Sequence, residues 1–420
     1  MKNKPKLIQN IAALGSVQVA NFLFPLITTP YTTRVLGVEA WGNLAFVYVI
    51  LGYFTLITNW GFSWSGTRKV AAIQVDHIKL SETFFSIWAA QWILAIVSAL
   101  VLVTMIFTIP YFEKNWQFFA FGLFGIFTSL LFPLWFLSGL ERMKQVATIQ
   151  IGSKLIGIPL IFLFVKSPND APHMIGIGVF SSLIGGILTL LWIQKELNLI
   201  CKFPSWKSIF FELKEGGALF GSTVFISIYT TLTPIILNVL SGPVAVGYYG
   251  LADKARMLVQ SGLSPISQAL FPRMSLLFSN DKSQARLQLL RSSKFILLLS
   301  ASLSIMLWFF AEYIVILLAG DQFRPAVDVL KWLACLPFII SLSNIFGMQI
   351  MLPNQRKRAF NNILIGAGAI SLIMIYPLIQ WADEIGASVN TLITECFVTL
   401  AMGLYLWRKG FFKKTVNWNN

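Results

Sequence analysis

Charge is what this 420-residue sequence lacks most. Aspartate, glutamate, lysine and arginine together make up 12% of it, about half the share in an ordinary soluble domain. Histidine occurs only as His77 and His173, and cysteine only as Cys201, Cys335 and Cys396. So few and so scattered, they argue against a disulfide framework and against a zinc site, and no metal is expected. The dipeptide Gly-Lys is absent, so there is no phosphate-cradling Walker loop. The chain is expected to use no cofactor and no ATP hydrolysis of its own.

What is present is apolar and comes in long runs. Hydrophobic residues make up 56% of the chain, and the mean hydropathy is +0.72. Runs such as "IWAAQWILAIVSALVLVTMIF" and "FILLLSASLSIMLWFF" approach the ~20 residues that cross a ~30 Å hydrocarbon core. A barrel would show shorter alternating segments instead. The fold class expected is an all-α integral membrane protein with about 12 transmembrane helices. The spans fall near 7–29, 40–63, 83–108, 116–138, 146–165 and 173–194, then near 216–240, 244–270, 292–318, 326–351, 359–380 and 385–407. The first run is too long for a cleaved leader and is read as a retained span. "LADKARM" interrupts the apolar run of the eighth.

The net charge of +15 does not point to nucleic acid, because the basic residues sort by side. Arg34, Lys114, Lys166 and Arg324 fall on one side, and Lys154, Lys254, Arg256 and Lys331 lie within spans. The other 24 of the 32 fall on the opposite side, with both termini. The positive-inside rule makes that side cytoplasmic.

A repeat divides the chain. "TPYTTRVLGVEAWG", starting at Thr29, matches "TPIILNVLSGPVAVG", starting at Thr233, through Thr-Pro, Val-Leu and, after one inserted residue, Gly42 and Gly247. Two lobes of six helices follow, residues 1–200 and 201–420, pseudo-symmetric about an axis along the membrane normal, with the substrate path in a central cavity between them. At 100° per residue, Asn10, Gln18, Asn21, Pro25 and Thr28 share one face of the first helix. Thr223, Ser227, Thr230, Thr231, Pro234 and Asn238 share one face of the seventh. Such stripes serve helix packing or line a wet cavity, and their matched positions favour the cavity. "TTPYTTRVLG" then reads as the outer end of a cavity-lining helix, with Arg34 at its mouth. Proline breaks the backbone ladder there, and hydroxyls or water must satisfy the freed groups.

"PLITTPYTTRVLG", "WGNLAFVYVILGYFTLITNWGFSWSGTRKVA" and "VGYYGLADKARMLVQSGLSPISQALFPRM" resemble the polysaccharide transport family. That family includes the O-antigen flippases called Wzx, within the multidrug/oligosaccharidyl-lipid/polysaccharide exporter superfamily. The resemblance covers essentially the whole chain. It implies a flippase, not an enzyme, that moves undecaprenyl-pyrophosphate-linked oligosaccharide across the bacterial inner membrane. Membrane lipids and the polymerase of the same pathway are implied partners. Two relatives compete: a drug exporter, with a more aromatic and acidic cavity, and a lipid II flippase, with two extra helices. A polymerase-type membrane enzyme would carry a large outer loop, and here the outer loops are short.

A charge near mid-bilayer costs roughly 2.5–3.5 kcal/mol, so each one needs a reason. Arg34, Lys154, Lys254, Arg256 and Lys331 are the candidate cations for a pyrophosphate headgroup. Asp253 pairs with Lys254 or Arg256 in the plainer reading, and Lys331 with Asp328 three residues earlier. Glu395 and Asp253 are the candidates for coupling to a proton or sodium gradient.

Overall fold

The computed structural model describes the backbone of residues 4–411. It describes side chains at Ala20 and from Leu23 onward, except at some positions within 218–230 and 264–282. The helices are α1 (Lys4–Asn59), α2 (Phe62–Ile73), α3 (His77–Thr108), α4 (Pro110–Lys114), α5 (Trp116–Leu130), α6 (Leu134–Gly139), α7 (Met143–Phe164), α8 (Ala171–Leu197), α9 (Trp206–Thr231), α10 (Thr233–Asn280), α11 (Lys282–Phe309), α12 (Ala311–Ala319), α13 (Ala326–Leu333), α14 (Leu336–Asn344) and α15 (Lys357–Arg408). No strand occurs among the described residues.

Nine helical stretches among the described residues are long and apolar enough to cross a membrane. Two of them, Leu23–Ile73 and Lys357–Arg408, are 51 and 52 residues long. At 1.5 Å per residue each could cross twice, and each bends where two expected spans meet. α1 bends at Gly37 (φ 74°, ψ 177°). α15 bends at Ala382 and Asp383. Just beyond that bend, Gly386 packs so closely that a Cβ would lie 1.8 Å from the Leu378 carbonyl oxygen.

The inserted residue of the repeat has a structural counterpart. α10 bends at Gly242 (φ 79°, ψ −177°), the same glycine-only backbone conformation as Gly37. Gly37 and Gly242 correspond once Ser241 is taken as the insertion. The seventh expected span differs from expectation. It divides at Leu232, between α9 and α10, where Pro234 sits in the first turn of α10 and has no N–H to offer the turn before it. "LADKARM" does not interrupt the eighth: α10 is continuous there, and Asp253 pairs with Arg256 along it (below).

The chain separates into two compact units, Met1–Val224 and Phe225–Asn420. In the first, α1 packs on α3, α5 and α7, and α8 packs on α5 and α7. The core there gathers Phe62, Phe84, Ile87, Trp135 and Phe136. Polar side chains inside it are satisfied across helices, as lipid requires. Trp135 Nε1 donates to Gln91 Oε1 (3.1 Å), and Gln91 Nε2 donates to the Thr58 carbonyl (3.4 Å). Asp76 caps α3, accepting from the Lys79 N–H at 3.1 Å. That bond holds the exposed carboxyl below its ordinary pKa.

Residues 201–224 pack with the first unit because side chains hold them there. Lys69 pairs with the buried Glu212, Arg68 with Glu215 (2.7 Å) and Lys202 with Glu82 (3.0 Å). Trp60 Nε1 donates to the Leu213 carbonyl at 2.8 Å. In the second unit, α10 packs on α11, α13 and α15, and α14 packs on α11 and α15. Its core includes Ile296, Ile345, Ala367, Val398 and Met402. Large apolar side chains cover the outside of both units, among them Leu100, Leu163, Leu188, Leu298 and Leu400. A lipid-facing surface is built this way.

Candidate functional site

The stretch that closes the first expected span is mostly folded inward. Thr29, Thr32 and Thr33 are buried. Thr28 Oγ1 donates to the Phe24 carbonyl (2.9 Å), Thr32 Oγ1 to Thr28 (2.9 Å) and Thr33 Oγ1 to Thr29 (2.7 Å). These hydroxyls bond to their own helix, and α1 runs on through Pro25 and Pro30. Tyr31 donates to the Val165 carbonyl at 2.7 Å and ties the middle of α1 to the end of α7. Arg34 is exposed and donates to the Pro30 carbonyl at 2.9 Å. Of the polar residues in this turn Arg34 is exposed, and Thr28 and Tyr31 are half-buried.

Lys154 stands midway along α7. It is exposed on the surface of the first unit, beside the exposed Leu155 and Ile156. The buried face of α7 carries Val146, Ala147, Ser153 and Gly157 instead. A cation at this depth is on the face that its own unit does not cover.

The second unit holds the remaining charges in a different manner. Arg256 is buried at 8% exposure. Its Nε and its Nη2 each lie 2.7 Å from Asp253 Oδ1, one turn earlier on α10. Glu395 on α15 is half-buried and feels the charge of Arg256. Beside them Tyr249 is buried, its hydroxyl 3.2 Å from Thr391 Oγ1 on α15. Charges of both signs and a phenol therefore lie along one seam between α10 and α15. Lys254 is half-buried on α10. Lys331 is half-buried and pairs with the exposed Asp328 at 3.5 Å.

The stripe residues are only partly described. The side chains of Asn10, Gln18, Asn21, Thr223 and Thr230 lie outside the described residues. Ser227 is half-buried and accepts, through its carbonyl, the Thr231 hydroxyl at 2.7 Å. Asn238 is half-buried, and its Oδ1 has no hydrogen-bond partner.

Sequence reasoning missed Tyr249, Thr391 and the bond from Ser241 to Asp383 (2.6 Å). Tyr249 and Thr391 are 142 residues apart, as are Ser241 and Asp383, so no local spacing signals them. The insertion of Ser241 into the repeat was the one visible trace.

Comparison with known proteins gives a consistent picture. Residues 7–278 match the family described as polysaccharide biosynthesis protein. The chain is 32% identical over 408 residues to a protein named as an O-antigen transporter in Escherichia coli strain K12, covering 96% of this chain and 97% of that one. It is 22% identical to a protein named as a low-salt glycan biosynthesis flippase in Haloferax volcanii, over 90% of this chain and 78% of that one. Among solved structures it superposes on an inward-facing multidrug resistance MATE family transporter of the MOP superfamily. The TM-score is 0.71 at 12% identity, over 93% of this chain and 96% of the other. That likeness is one of fold.

Proposed function

Because the chain belongs to the polysaccharide biosynthesis protein family, we propose that it flips a glycan carried on undecaprenyl pyrophosphate from the cytoplasmic to the periplasmic leaflet of a bacterial inner membrane. It is a multi-pass polysaccharide flippase, a transporter and not an enzyme. Both termini face the cytoplasm in this reading, in line with the 24 basic residues on their side.

The observation that carries the lipid-linked substrate is Lys154. A cation midway along a membrane helix costs roughly 2.5–3.5 kcal/mol, and its own unit leaves it uncovered. A pyrophosphate passing in a water-limited path would offset that cost, since attraction between charges grows as the local dielectric falls. Arg34, exposed just before the Gly37 bend of α1, receives the headgroup later. The polyprenyl tail stays in lipid, so only the headgroup and sugars need a polar path. Ion coupling is assigned to Glu395. A half-buried acid beside a buried Arg256–Asp253 pair sits where gain or loss of one positive charge changes the balance of the seam between α10 and α15. That is the differential interaction that linkage between two conformations requires.

The test is reconstitution into liposomes with a lipid-linked glycan, scored by its access to an external sugar-modifying enzyme. Wild-type protein should expose the glycan, and an imposed proton or sodium gradient should change the rate. Glu395→Gln should flip at a rate that ignores the gradient. Glu395 loses its assigned role if wild-type flipping is already indifferent to both gradients.

A further inference from the structure

We propose that the first unit carries a sugar-binding subsite at its outer end, away from the mid-span cations. This rests on the flippase reading for its place in transport but not for its chemistry. A cavity of about 540 Å³ opens there, within the ~300–1,000 Å³ of pockets that hold small ligands. Its walls come from the Gly37 bend of α1, the α4–α5 junction and the loop before α8. Asn43, Asn115, Trp116 and Gln117 line it, with Glu39 and Lys114 adding one charge of each sign. Lys114 is among the four basic residues on the side opposite the termini, so the cavity is read as periplasmic.

Two amides on the wall are oriented by one residue behind it. The Tyr111 hydroxyl donates to Asn43 Oδ1 at 2.8 Å, so Asn43 has its NH₂ to offer. Asn115 Nδ2 donates to the Tyr111 carbonyl at 2.9 Å, so Asn115 has its Oδ1 to offer. Tyr111 is itself held edge-on against Phe46, ring centroids 4.9 Å apart. The cavity wall thus presents one oriented donor and one oriented acceptor. A ligand with several hydroxyls, each able to donate and to accept, matches both, and a lone carboxylate or ammonium does not.

Trp116 supplies the other half of sugar chemistry. It is 55% exposed at the first position of α5. An electron-rich indole face attracts the weakly positive C–H face of a pyranose ring. Amides for hydroxyls and an indole for the ring face specify a neutral, hydroxyl-rich ligand of one or two sugar units. We assign the cavity as the station that receives the leading sugars of the glycan as they emerge.

The experiment uses the full chain in lipid nanodiscs and five free sugars: glucose, galactose, mannose, rhamnose and N-acetylglucosamine. Saturation-transfer NMR reads contact between protein and sugar. At least one sugar should receive transfer from the wild type. Trp116→Ala should abolish it, and Trp116→Tyr should keep most of it. Tyr111→Phe, which touches no sugar, should weaken binding roughly three- to tenfold by freeing Asn43, about one hydrogen bond's worth. A tryptophan that only anchors the protein at the lipid interface would leave the sugar signal of Trp116→Ala intact, and that result overturns the proposal. So does absence of transfer from all five. Liposome flipping is measured on the same variants. Lost sugar contact with slowed flipping supports the receiving station. Lost contact with unchanged flipping leaves a pocket for free sugars and overturns its place in transport. A wild type that contacts sugar but flips no lipid-linked glycan overturns the flippase reading and leaves the subsite standing.

Discussion

In the first unit Pro30 lies inside α1 and the helix runs through it; in the second its counterpart Pro234 opens α10 after a break at Leu232. The dipeptide is the same and the surroundings differ. Around Pro30, hydroxyls of Thr28, Thr32 and Thr33 and the guanidinium of Arg34 add bonds to the helix carbonyls. Before Pro234 the Thr231 hydroxyl bonds to the Ser227 carbonyl, but after it come Ile235, Ile236 and Leu237, which have none to add. The cations differ in the same sense. The first unit leaves Lys154 exposed at mid-span, whereas the second buries Arg256 against Asp253. One repeated backbone carries an exposed mid-span cation in one half, the face proposed to meet substrate, and a paired charge seam in the other.

Arg256→Ala puts the most weight on that contrast. It strands Asp253 in a half-buried site and should cost about 3–5 kcal/mol, the usual loss on breaking a buried pair from one side. The readout is a large drop in melting temperature in detergent, with low membrane levels. Replacing both partners, Arg256→Gln with Asp253→Asn, should recover much of the loss. If Arg256→Ala instead melts like wild type and fails only in flipping, Arg256 meets substrate directly and the contrast between units disappears.

The bends come next. Gly37 and Gly242 share a backbone conformation that side chains avoid. Nothing lies within 4 Å of a Cβ added at Gly242, so the penalty of Gly242→Ala is torsional alone, roughly 1–3 kcal/mol. Gly37→Ala should cost a similar amount if the bends are equivalent. Melting curves of the two variants that differ severalfold in their shift would mean that the bends carry unequal load.

What was legible in the sequence follows the range of each signal. Spans are twenty-residue patterns, and nine stretches among the described residues carry them, two of them long enough to cross twice. The pairing of Asp253 with Arg256 and of Asp328 with Lys331 is one helical turn long, and composition plus periodicity pointed to both. The bends between neighbouring spans were not visible, because each turns on one or two residues, Gly37, Gly242, or Ala382 with Asp383, that no local pattern announces. Tyr111 and Asn43 lie 68 residues apart, and Lys69 and Glu212 lie 143 apart. Such pairs are set by which helices pack together, and one sequence does not carry that.

Lys154→Ala is the converse of the Arg256 variant. Lys154 is exposed on its unit, so stability should change by no more than ~0.5 kcal/mol. Flipping should fall about tenfold or more, equivalent to ~1.4 kcal/mol of lost headgroup attraction. Lys154→Arg keeps the charge and should retain most of the rate. Wild-type flipping by Lys154→Ala would remove the cationic site from the mechanism.

The smallest effect should come from the inserted residue. Ser241 donates to Asp383 at 2.6 Å, joining the bend of α10 to the bend of α15. The first unit, without the insertion, has no equivalent residue between Leu36 and Gly37. Because the Ser241–Asp383 bond is exposed, Ser241→Ala should cost only about 0.5 kcal/mol, the low end for a hydrogen bond. Its sharper consequence is local. Hydrogen exchange should quicken on both sides of Gly242 and around Asp383, with the Gly37 bend unchanged. Faster exchange at Gly37 as well would mean that the two bends move as one. Unchanged exchange at all three would show that the insertion only spaces the repeat. In the expected case, the second unit has added a tether to the shared bend, in keeping with a half whose polar groups bond mainly to one another.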